Sequence, residues 1–298
     1  MKTILLLFLL PILCFAQKSI VITPSRNSDH TVDFLYEKNK PGSYTVEIEF
    51  TKLTNCSMQN SKKIIVTNPR GTLFRLRPQN SQKGISFAYS FKYYSGIINP
   101  KIDADIIYTL PIKKDESLFV QESANVDEKY FGKEEPDTWK AYSFSTSSNQ
   151  IHAMRRGIVV KVVNKYPNLN FDQYQYSSKT NKIIIEHEDG SYAHYKGFDK
   201  DFIKVKPGQQ VYPGQYLGKI GLYSELKNEY YFYFLVRYRI KVDGELGTAF
   251  VQPTFSINNE ELFLEHKMSY VNLYAKELIF QEFSKREKKK YLKGQLTF

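Results

Sequence analysis

Cysteine is scarce in this sequence of 298 residues, which contains only Cys14 and Cys56. Because Cys14 lies in an apolar N-terminal segment typical of a cleaved signal, the mature chain would keep Cys56 alone and form no intramolecular disulfide. We therefore expect the mature chain to be held together by its hydrophobic core, and its length allows one to three domains.

Several motifs of enzymes and cofactor-binding proteins are also missing. The sequence has no GxSxG nucleophile turn, no GxxxxGKS phosphate-binding loop and no CxxC pair. These absences argue against an α/β-hydrolase, a P-loop nucleotide-binding protein and a CxxC redox protein. After the N-terminal segment, no run of residues is apolar enough to predict a membrane span.

The N-terminus has the features of a secretory signal. Lys2 supplies a positive charge, and residues 4–15 form an apolar run, interrupted by Pro11, that is short for a membrane span. Small residues before Gln17 predict cleavage there, which would export the protein to the periplasm or cell envelope. The alternative is a lipoprotein modified at Cys14, but the residues just before that cysteine are not the small ones that such a site favours.

The chain is basic, with a formal net charge of +11, which removal of Lys2 lowers by one. A basic exported protein suits anionic surroundings such as wall polymers or lipid head groups. Nucleic acid is a competing partner class, but export argues against it. The third interpretation is that the charge only aids solubility. The 23 tyrosines and 21 phenylalanines favour strands over helices.

Residues 17–117 predict an all-β N-terminal domain. Short runs of alternating apolar and polar residues are separated by turn signals such as Pro41-Gly42. Within residues 44–50 the apolar side chains fall on one face of a strand, because a strand repeats every two residues. A β-sandwich-like arrangement of two sheets would bury such faces. The expected strands are 31–37, 43–50, 63–67, 72–76, 85–93 and 104–110.

The remainder of the chain predicts a linker, a β core and a helix. Residues 118–140 are polar and charged and indicate a linker or long loop. Residues 141–257 are rich in strand patterns. Residues 258–298 predict a basic C-terminal helix, capped by Asn258 or Asn259 and ending in a run of lysine and arginine. With residues 1–16 as the signal peptide, the expected fold class is mainly β with one C-terminal helix.

Residues 181–221 resemble the core of the M23 (LytM-type) zinc endopeptidases, which cut peptide cross-links in bacterial cell walls. The resemblance is carried by an apolar strand, an acidic turn, a second strand and then glycines and valines at short intervals. It implies an antiparallel β core of the duplicated-hybrid-motif type, and it implies structural roles for His187, Gly190, Gly208, Gly214 and Gly218.

The zinc motifs of that family are absent by the same alignment. The family's HxH pair falls on Tyr231 and Tyr233, and the histidine of its YxHL segment falls on Gly197. The ligand aspartate falls on Ser143, or on Tyr142 if the gap is placed differently. No histidine occurs between residues 30 and 152, so the first histidine ligand has no counterpart. The resemblance therefore implies a scaffold without catalytic residues and without zinc.

Three histidines, His152, His187 and His194, remain within the predicted core and could in principle build a different metal site. Neighbours on a strand face opposite sides, so His194 should point away from Tyr195 and is not expected to restore the lost site. The alternative function that these histidines leave open is a zinc endopeptidase with unusual ligands.

The former catalytic face could still bind a ligand. Tyr195, Tyr231, Tyr233 and Arg237 are the candidate groove residues, because aromatic rings suit sugars or peptide stems and arginine suits a carboxylate. The competing interpretation is that the tyrosines only pack within the sheet.

These observations predict a non-catalytic, exported module that binds peptidoglycan fragments or regulates an envelope hydrolase. Degenerate members of the resembled family activate wall amidases, which gives the second role a precedent. No cofactor is expected, or zinc if the alternative enzyme is correct. Nucleic acid is not an expected partner, and no transmembrane span is expected after signal removal.

Overall fold

The computed structural model describes residues 19–124, 136–167, 179–224 and 229–297. The predicted signal peptide and Gln17 lie outside these residues. The described chain is mostly strand, so the predicted mainly β fold with an antiparallel core is confirmed. Among the described residues, no helix is both long and apolar enough to cross a membrane.

Two three-stranded sheets form the N-terminal unit. One has the order β1-β2-β5 and the other β4-β3-β6. Their apolar faces share one core, in which the ring of Phe34 stacks on that of Phe74 at 4.7 Å between centroids. Because apolar and polar residues alternate along each strand, each sheet has one apolar face, and the two apolar faces pack against each other. The six strands are β1 (Ile20–Arg26), β2 (Val32–Lys38), β3 (Tyr44–Thr54), β4 (Ser61–Val66), β5 (Arg70–Leu76) and β6 (Ser86–Ser95).

A larger sheet organises the second unit. Its main path runs β14-β11-β12-β13-β17-β9-β8-β21, and its inner face packs on the second hydrophobic core. Strand β17 is central and long, and it pairs antiparallel with β13 on one side and β9 on the other. The strands are β7 (Ile107–Tyr108), β8 (Ser117–Glu122), β9 (Tyr142–Thr146), β10 (Gln150–His152), β11 (Gly157–Val163), β12 (Asn181–Glu186), β13 (Tyr192–Ile203), β14 (Gln210–Val211), β15 (Tyr216–Ile220), β16 (Leu222–Ser224), β17 (Glu229–Val242), β18 (Glu245–Val251), β19 (Thr254–Ile257), β20 (Glu260–Leu262) and β21 (Ser269–Val271).

The polar segment 118–140 is not simply a linker. Strand β8 begins at Ser117 and pairs with β9, and its alternate residues Leu118 and Val120 are buried in the second core. These two apolar residues are two positions apart, as the strand period requires. Two residues are too few to predict a strand when the residues that follow are polar and charged, so the sequence indicated a linker. Residues 125–135 lie outside the described part of the chain.

The boundary between the units also differs from the predicted one at residue 117. Strand β7 pairs in parallel with β19, and Leu110 and Ile112 are buried in the second core. The chain therefore leaves the N-terminal sheets soon after β6 and then packs against the second unit.

The C-terminal region contains much less helix than predicted. Asn258 and Asn259 do not cap a helix, because both have positive φ, at 54° and 65°, and form the two-residue turn between β19 and β20. Helix α1 covers only Lys285–Leu292, after a 3-10 helix at Lys276–Phe280. Its true N-cap is Ser284, whose side chain accepts from the backbone N–H of Glu287 in a capping box.

A buried ion cluster ties this C-terminal region to the second unit. The guanidinium of Arg155, which is 2% exposed, contacts Asp189 at 2.9 Å and Glu282 at 2.9 Å. The same group donates to the hydroxyl of Tyr108 over 3.1 Å. Since Glu282 lies just before α1, this cluster fixes the C-terminal segment beside β7 and the 187–191 turn.

A polar contact joins the two units. The backbone N–H of Ser43 donates to Glu186 Oε2 over 2.8 Å, and the Ser43 hydroxyl donates to the other carboxylate oxygen. Burial raises the pKa of Glu186, while the hydrogen bonds from Ser43 lower it in part. The carboxylate at the end of β12 is therefore held by the turn that precedes β3.

Candidate binding groove

The four positions on which the zinc motifs of the resembled family fall come together on the second unit. Tyr233 of β17 is the register partner of Ser143 of β9, and Tyr231 is that of Ser145. A Cβ on Gly197 would lie 3.1 Å from the carbonyl oxygen of Tyr231, so this glycine lies against the same stretch of β17. The sheet register therefore brings Ser143, Gly197, Tyr231 and Tyr233 to one region.

One face of the sheet, here called the groove face, carries the side chains of Ser143, Tyr231 and Tyr233. Register partners in an antiparallel pair lie on the same side, so Tyr233 shares its face with Ser143 and with Lys196 of β13. Positions two apart on β17 follow the same rule, which adds Tyr231 and Arg237. The opposite face is the inner one and packs on the core.

Tyr195 does not belong to this groove. Its register partner is Phe234, and both side chains are fully buried in the second core. The Tyr195 hydroxyl accepts a hydrogen bond from the backbone N–H of Met154 over 3.0 Å. The prediction that Tyr195 lines the groove is wrong, because the strand period places it on the face opposite to Tyr231 and Tyr233.

His194 lies on the groove face instead. Its register partner is Leu235, and it is 6% exposed. The Nε of Arg237 donates to Nε2 of His194 over 2.9 Å. Burial lowers the pKa of His194 well below its usual value, and the charge of Arg237 lowers it further. The imidazole is therefore neutral and acts as an acceptor.

Two lysines that the sequence analysis did not single out complete the groove face. Lys196 lies directly opposite Lys182 of β12, and its Nζ is 4.5 Å from the ring centroid of Tyr233. Burial, and then the charges of Lys182 and Arg237, lower the pKa of Lys196 to about 8. Alternation along β12 and β13 was the signal that could have placed both lysines beside Tyr233.

Zinc does not fit the residues found here. A hydrolytic zinc needs three protein ligands, usually imidazoles or carboxylates, and an open position for water. The corresponding side chains are two phenols and the hydroxyl of Ser143, while Gly197 offers none. Lys182, Lys196 and Arg237 add positive charge that would repel a cation. Among the residues that the structure describes, no three His, Cys, Asp or Glu side chains are grouped to hold a metal.

The other core histidines have separate surroundings. Nδ1 of His187 lies 2.6 Å from the carbonyl oxygen of Arg156, and its ring meets that of Tyr108 edge to face. Burial and the charge of Arg155 lower the pKa of His187 to about 3. His152 packs against the ring of Tyr216 at 5.6 Å between centroids. Neither of these two contacts is made to the groove-face residues described above.

The glycines of the core serve close approaches between strands and loops. Gly190 has φ of 85°, and a Cβ there would lie 2.9 Å from Cβ of Pro100. A Cβ on Gly218 would lie 2.6 Å from the carbonyl oxygen of Phe202. Larger residues at these two positions would force the backbone or the neighbouring loop to move. Gly208 and Gly214 both have positive φ values in turns.

A known family model matches the segment of the chain that contains the groove face. Residues 138–245 match the sequence model described as Peptidase family M23. No curated protein matches the chain significantly. This segment begins just before β9 and ends at the first residue of β18, so it includes every groove-face residue named above.

Two solved structures are similar to the chain at low identity. One is described as a novel M23 metalloprotease, pseudoalterin, from the deep sea: it is 14% identical, covers 58% of this chain and 100% of its own, and has a TM-score of 0.33. The other is a zinc-containing peptidase from Vibrio cholerae: it is 14% identical, covers 73% of this chain and 75% of its own, and has a TM-score of 0.29. Both TM-scores are below 0.5, so neither structure carries an argument, and the similarity to the M23 family is that of residues 138–245 alone.

Proposed function

We propose, from the match of residues 138–245 to the Peptidase family M23 model, that the chain is a non-catalytic M23 protein of the cell envelope. It binds peptidoglycan or regulates a wall hydrolase, and it does so through the groove face. The predicted N-terminal signal supports a location outside the cytoplasm, in the periplasm or envelope.

The composition of the groove face is the observation that carries this proposal. A zinc peptidase needs a cation held by anionic or neutral ligands and a base beside the bound water. The face instead presents lysines, an arginine and tyrosines around a neutral histidine. Such a set favours binding of an anionic ligand over hydrolysis by a metal-bound water.

The tyrosines of the groove suit a wall fragment. Tyr231 and Tyr233 lie two positions apart on β17 and are each half-buried, which leaves part of each ring accessible. Aromatic faces beside polar groups are typical of sites that bind sugar rings or peptide stems. The basic balance of the chain also favours anionic wall polymers.

Metal analysis combined with a wall-digestion assay tests the non-catalytic part. The mature chain, purified without chelators, should contain no stoichiometric zinc by plasma emission and should not clear suspended cell walls. An active M23 peptidase serves as the positive control. One tightly held zinc per chain together with wall clearing would overturn the proposal in favour of a peptidase with unusual ligands.

Co-sedimentation with insoluble peptidoglycan tests the binding part. The mature chain should pellet with the polymer, and digestion of the polymer by a purified wall amidase should show whether the chain also alters a hydrolase. A chain that neither pellets nor changes the amidase rate would contradict both proposed roles.

A further inference from the structure

Four side chains of the groove face form a cluster, here called the basic cluster: Lys182, His194, Lys196 and Arg237. They come from three adjacent strands, β12, β13 and β17, whose register places them on one side of the sheet. Lys182 and Lys196 lie directly opposite each other across β12 and β13. Arg237 reaches His194, which lies two positions from Lys196 on the same strand.

The positive charges of Lys182, Lys196 and Arg237 repel each other in this arrangement. Residues directly opposite in an antiparallel pair have Cβ atoms about 5 Å apart, and like charges at that spacing are destabilising. The pKa of Lys182 is lowered first by burial and then by the charges of Lys161 and Arg237. The pKa of Arg237 is also lowered by burial. The cluster therefore concentrates cations where water screens them incompletely.

Within the described residues, no acidic side chain forms an ion pair with this cluster; Glu186, on the same face of β12, is held by Ser43 instead. The ion pairs found in residues 19–124, 136–167, 179–224 and 229–297 involve neither Lys182, nor Lys196, nor Arg237. Elsewhere in the same unit buried cations are paired, as Arg155 is with Asp189 and Glu282. The contrast indicates that the basic cluster is arranged to receive a negative charge from a ligand.

The hydrogen-bonding groups fit a carboxylate. Arg237 uses Nε to donate to His194, and its two Nη groups make no hydrogen bond to any described residue. A guanidinium with two such groups can bind a carboxylate with two parallel hydrogen bonds. The ammonium of Lys196, placed over the ring of Tyr233, supplies a second cation beside it.

We propose that the basic cluster binds the carboxylates of an acidic peptide, which in the cell envelope is the peptide stem of a wall fragment. This inference rests on the proposed function and deepens it by naming the chemical group that is recognised. Lys182, Lys196 and Arg237 supply the charge, and neutral His194 orients Arg237. The part of the sheet that holds a divalent cation in zinc peptidases holds an anion here.

Binding measurements with paired ligands test the site. The probes are a synthetic tetrapeptide with two free carboxylates, the same peptide with both carboxylates amidated, and a soluble disaccharide–tetrapeptide muropeptide. The mature full-length chain is titrated by calorimetry. The free-acid peptide should bind about tenfold or more tightly than the amidated one, because hydrogen bonds between charged groups are lost on amidation.

Substitutions that remove one charge identify the residues responsible. Lys196→Gln and Arg237→Gln should each weaken binding of the free-acid peptide by about tenfold, and Lys182→Gln gives an independent third variant. The matched control is Lys52→Gln, which removes the same charge from an exposed position on β3 of the other unit. Thermal unfolding of each variant shows that the fold is kept.

The outcomes separate this inference from the proposed function. Preference for the free acid, lost in the cluster variants and kept in Lys52→Gln, supports the site. Equal binding of the free-acid and amidated peptides, with muropeptide binding unchanged in the cluster variants, overturns the site but leaves wall binding in place. Binding of the acidic peptide without any binding of the muropeptide supports the site and overturns the wall assignment. Failure to bind either probe overturns both.

Discussion

The guanidinium of Arg237 donates a hydrogen bond from Nε to Nε2 of His194 over 2.9 Å, joining β17 to β13 across the groove face. Because Nε2 accepts, the neutral imidazole carries its proton on Nδ1. His194, which shares the groove face with Tyr231 and Tyr233, thus positions a cation.

Acid should destabilise the fold partly through His194. Burial, and then Arg237 and Lys196, hold the pKa of His194 well below its usual value of 6.5. Below pH 6.5 the unfolded chain binds this proton and the folded chain does not, so stability falls as the pH decreases. Each pH unit in that window costs about 1.4 kcal/mol. His194→Gln should therefore reduce the difference in unfolding free energy between pH 7.5 and pH 5.5 by roughly 1 kcal/mol, measured in urea.

The control for this measurement is His30→Asn. His30 is exposed and has φ of 61°, a conformation that asparagine tolerates. This variant should show the same pH dependence as the wild type. An unchanged pH dependence in His194→Gln would mean that His194 titrates alike in the folded and unfolded chains.

A single methyl group at Gly42 should test the contact between the two units. Gly42 has φ of 88°, and a Cβ there would lie 2.6 Å from Cγ1 of Val160 and in contact with the Glu186 carboxylate. Gly42→Ala combines an unfavourable left-handed backbone with this overlap, so we expect a loss of roughly 2–4 kcal/mol. Chemical denaturation measures it. Gly84→Ala is the matched control, because a Cβ at Gly84 meets nothing within 4 Å, and a loss of similar size there would contradict the explanation.

The sequence allowed much of the sheet to be predicted, because strands carry a period of two. That period correctly placed Tyr231 and Tyr233 on one face and His194 on the face opposite to Tyr195, but it is His194, and not Tyr195, that shares the groove face. The error at Tyr195 came from grouping it by its nearness to Gly197 in the sequence, although its register partner is Phe234. Which strands become neighbours depends on pairing between distant segments, and local patterns do not encode this.

The sequence predicted neither the turn at Asn258 and Asn259 nor the clustering of the lysines, and the two failures have different causes. Asn258 and Asn259 suit both a helix cap and a tight hairpin turn, and only the pairing of β19 with β20 decides between them. Lys182 and Lys196 look like ordinary solvent-exposed strand residues in sequence. They form a cluster with Arg237 only because β12, β13 and β17 pair side by side in the folded sheet.

Restoring only the HxH pair should not restore hydrolysis. Tyr231→His combined with Tyr233→His would supply one metal ligand and one assisting histidine, while Ser143 and Gly197 would still lack the side chains required. A catalytic zinc needs three protein ligands, and the nearby lysines would oppose it. Zinc content by plasma emission and clearing of cell walls are the measurements. Clearing by this double variant would show that the alignment upstream of β10 is wrong.

Removing one aromatic ring from the groove should weaken binding of wall fragments. Tyr233→Ala would delete the ring that lies 4.5 Å from the Lys196 ammonium and that could stack on a sugar. We expect a loss of about 1 kcal/mol, or several-fold in affinity, for a soluble muropeptide. Arg237→Ala should cost somewhat more if it pairs with a carboxylate. The control is Phe263→Ala, at an aromatic residue that is 53% exposed outside the groove. Equal affinities for all variants would favour recognition of a protein partner instead.

The affinity for an acidic peptide should fall as the pH rises through the pKa of Lys196. Burial, followed by Lys182 and Arg237, lowers that pKa to about 8, so the ammonium that attracts a carboxylate loses its proton between pH 7 and pH 9. The groups facing Lys196 are Lys182 from β12, Tyr233 and Arg237 from β17, and His194 from its own strand, which is already neutral in this range.

The Lys196→Arg variant tests whether Lys196 is the group whose deprotonation weakens binding. Arginine stays protonated throughout the range, so this variant should bind the peptide at pH 7 and keep most of its affinity at pH 9. Lys196→Gln should bind the peptide weakly at both pH 7 and pH 9. The affinity of the wild type should be close to that of Lys196→Arg at pH 7 and should approach that of Lys196→Gln at pH 9. Calorimetric titration at pH 7, 8 and 9 measures the trend. A parallel decline in the wild type and in Lys196→Arg would assign the titration to Lys182, whose pKa is also lowered by burial, and would leave Lys196 without the role proposed for it.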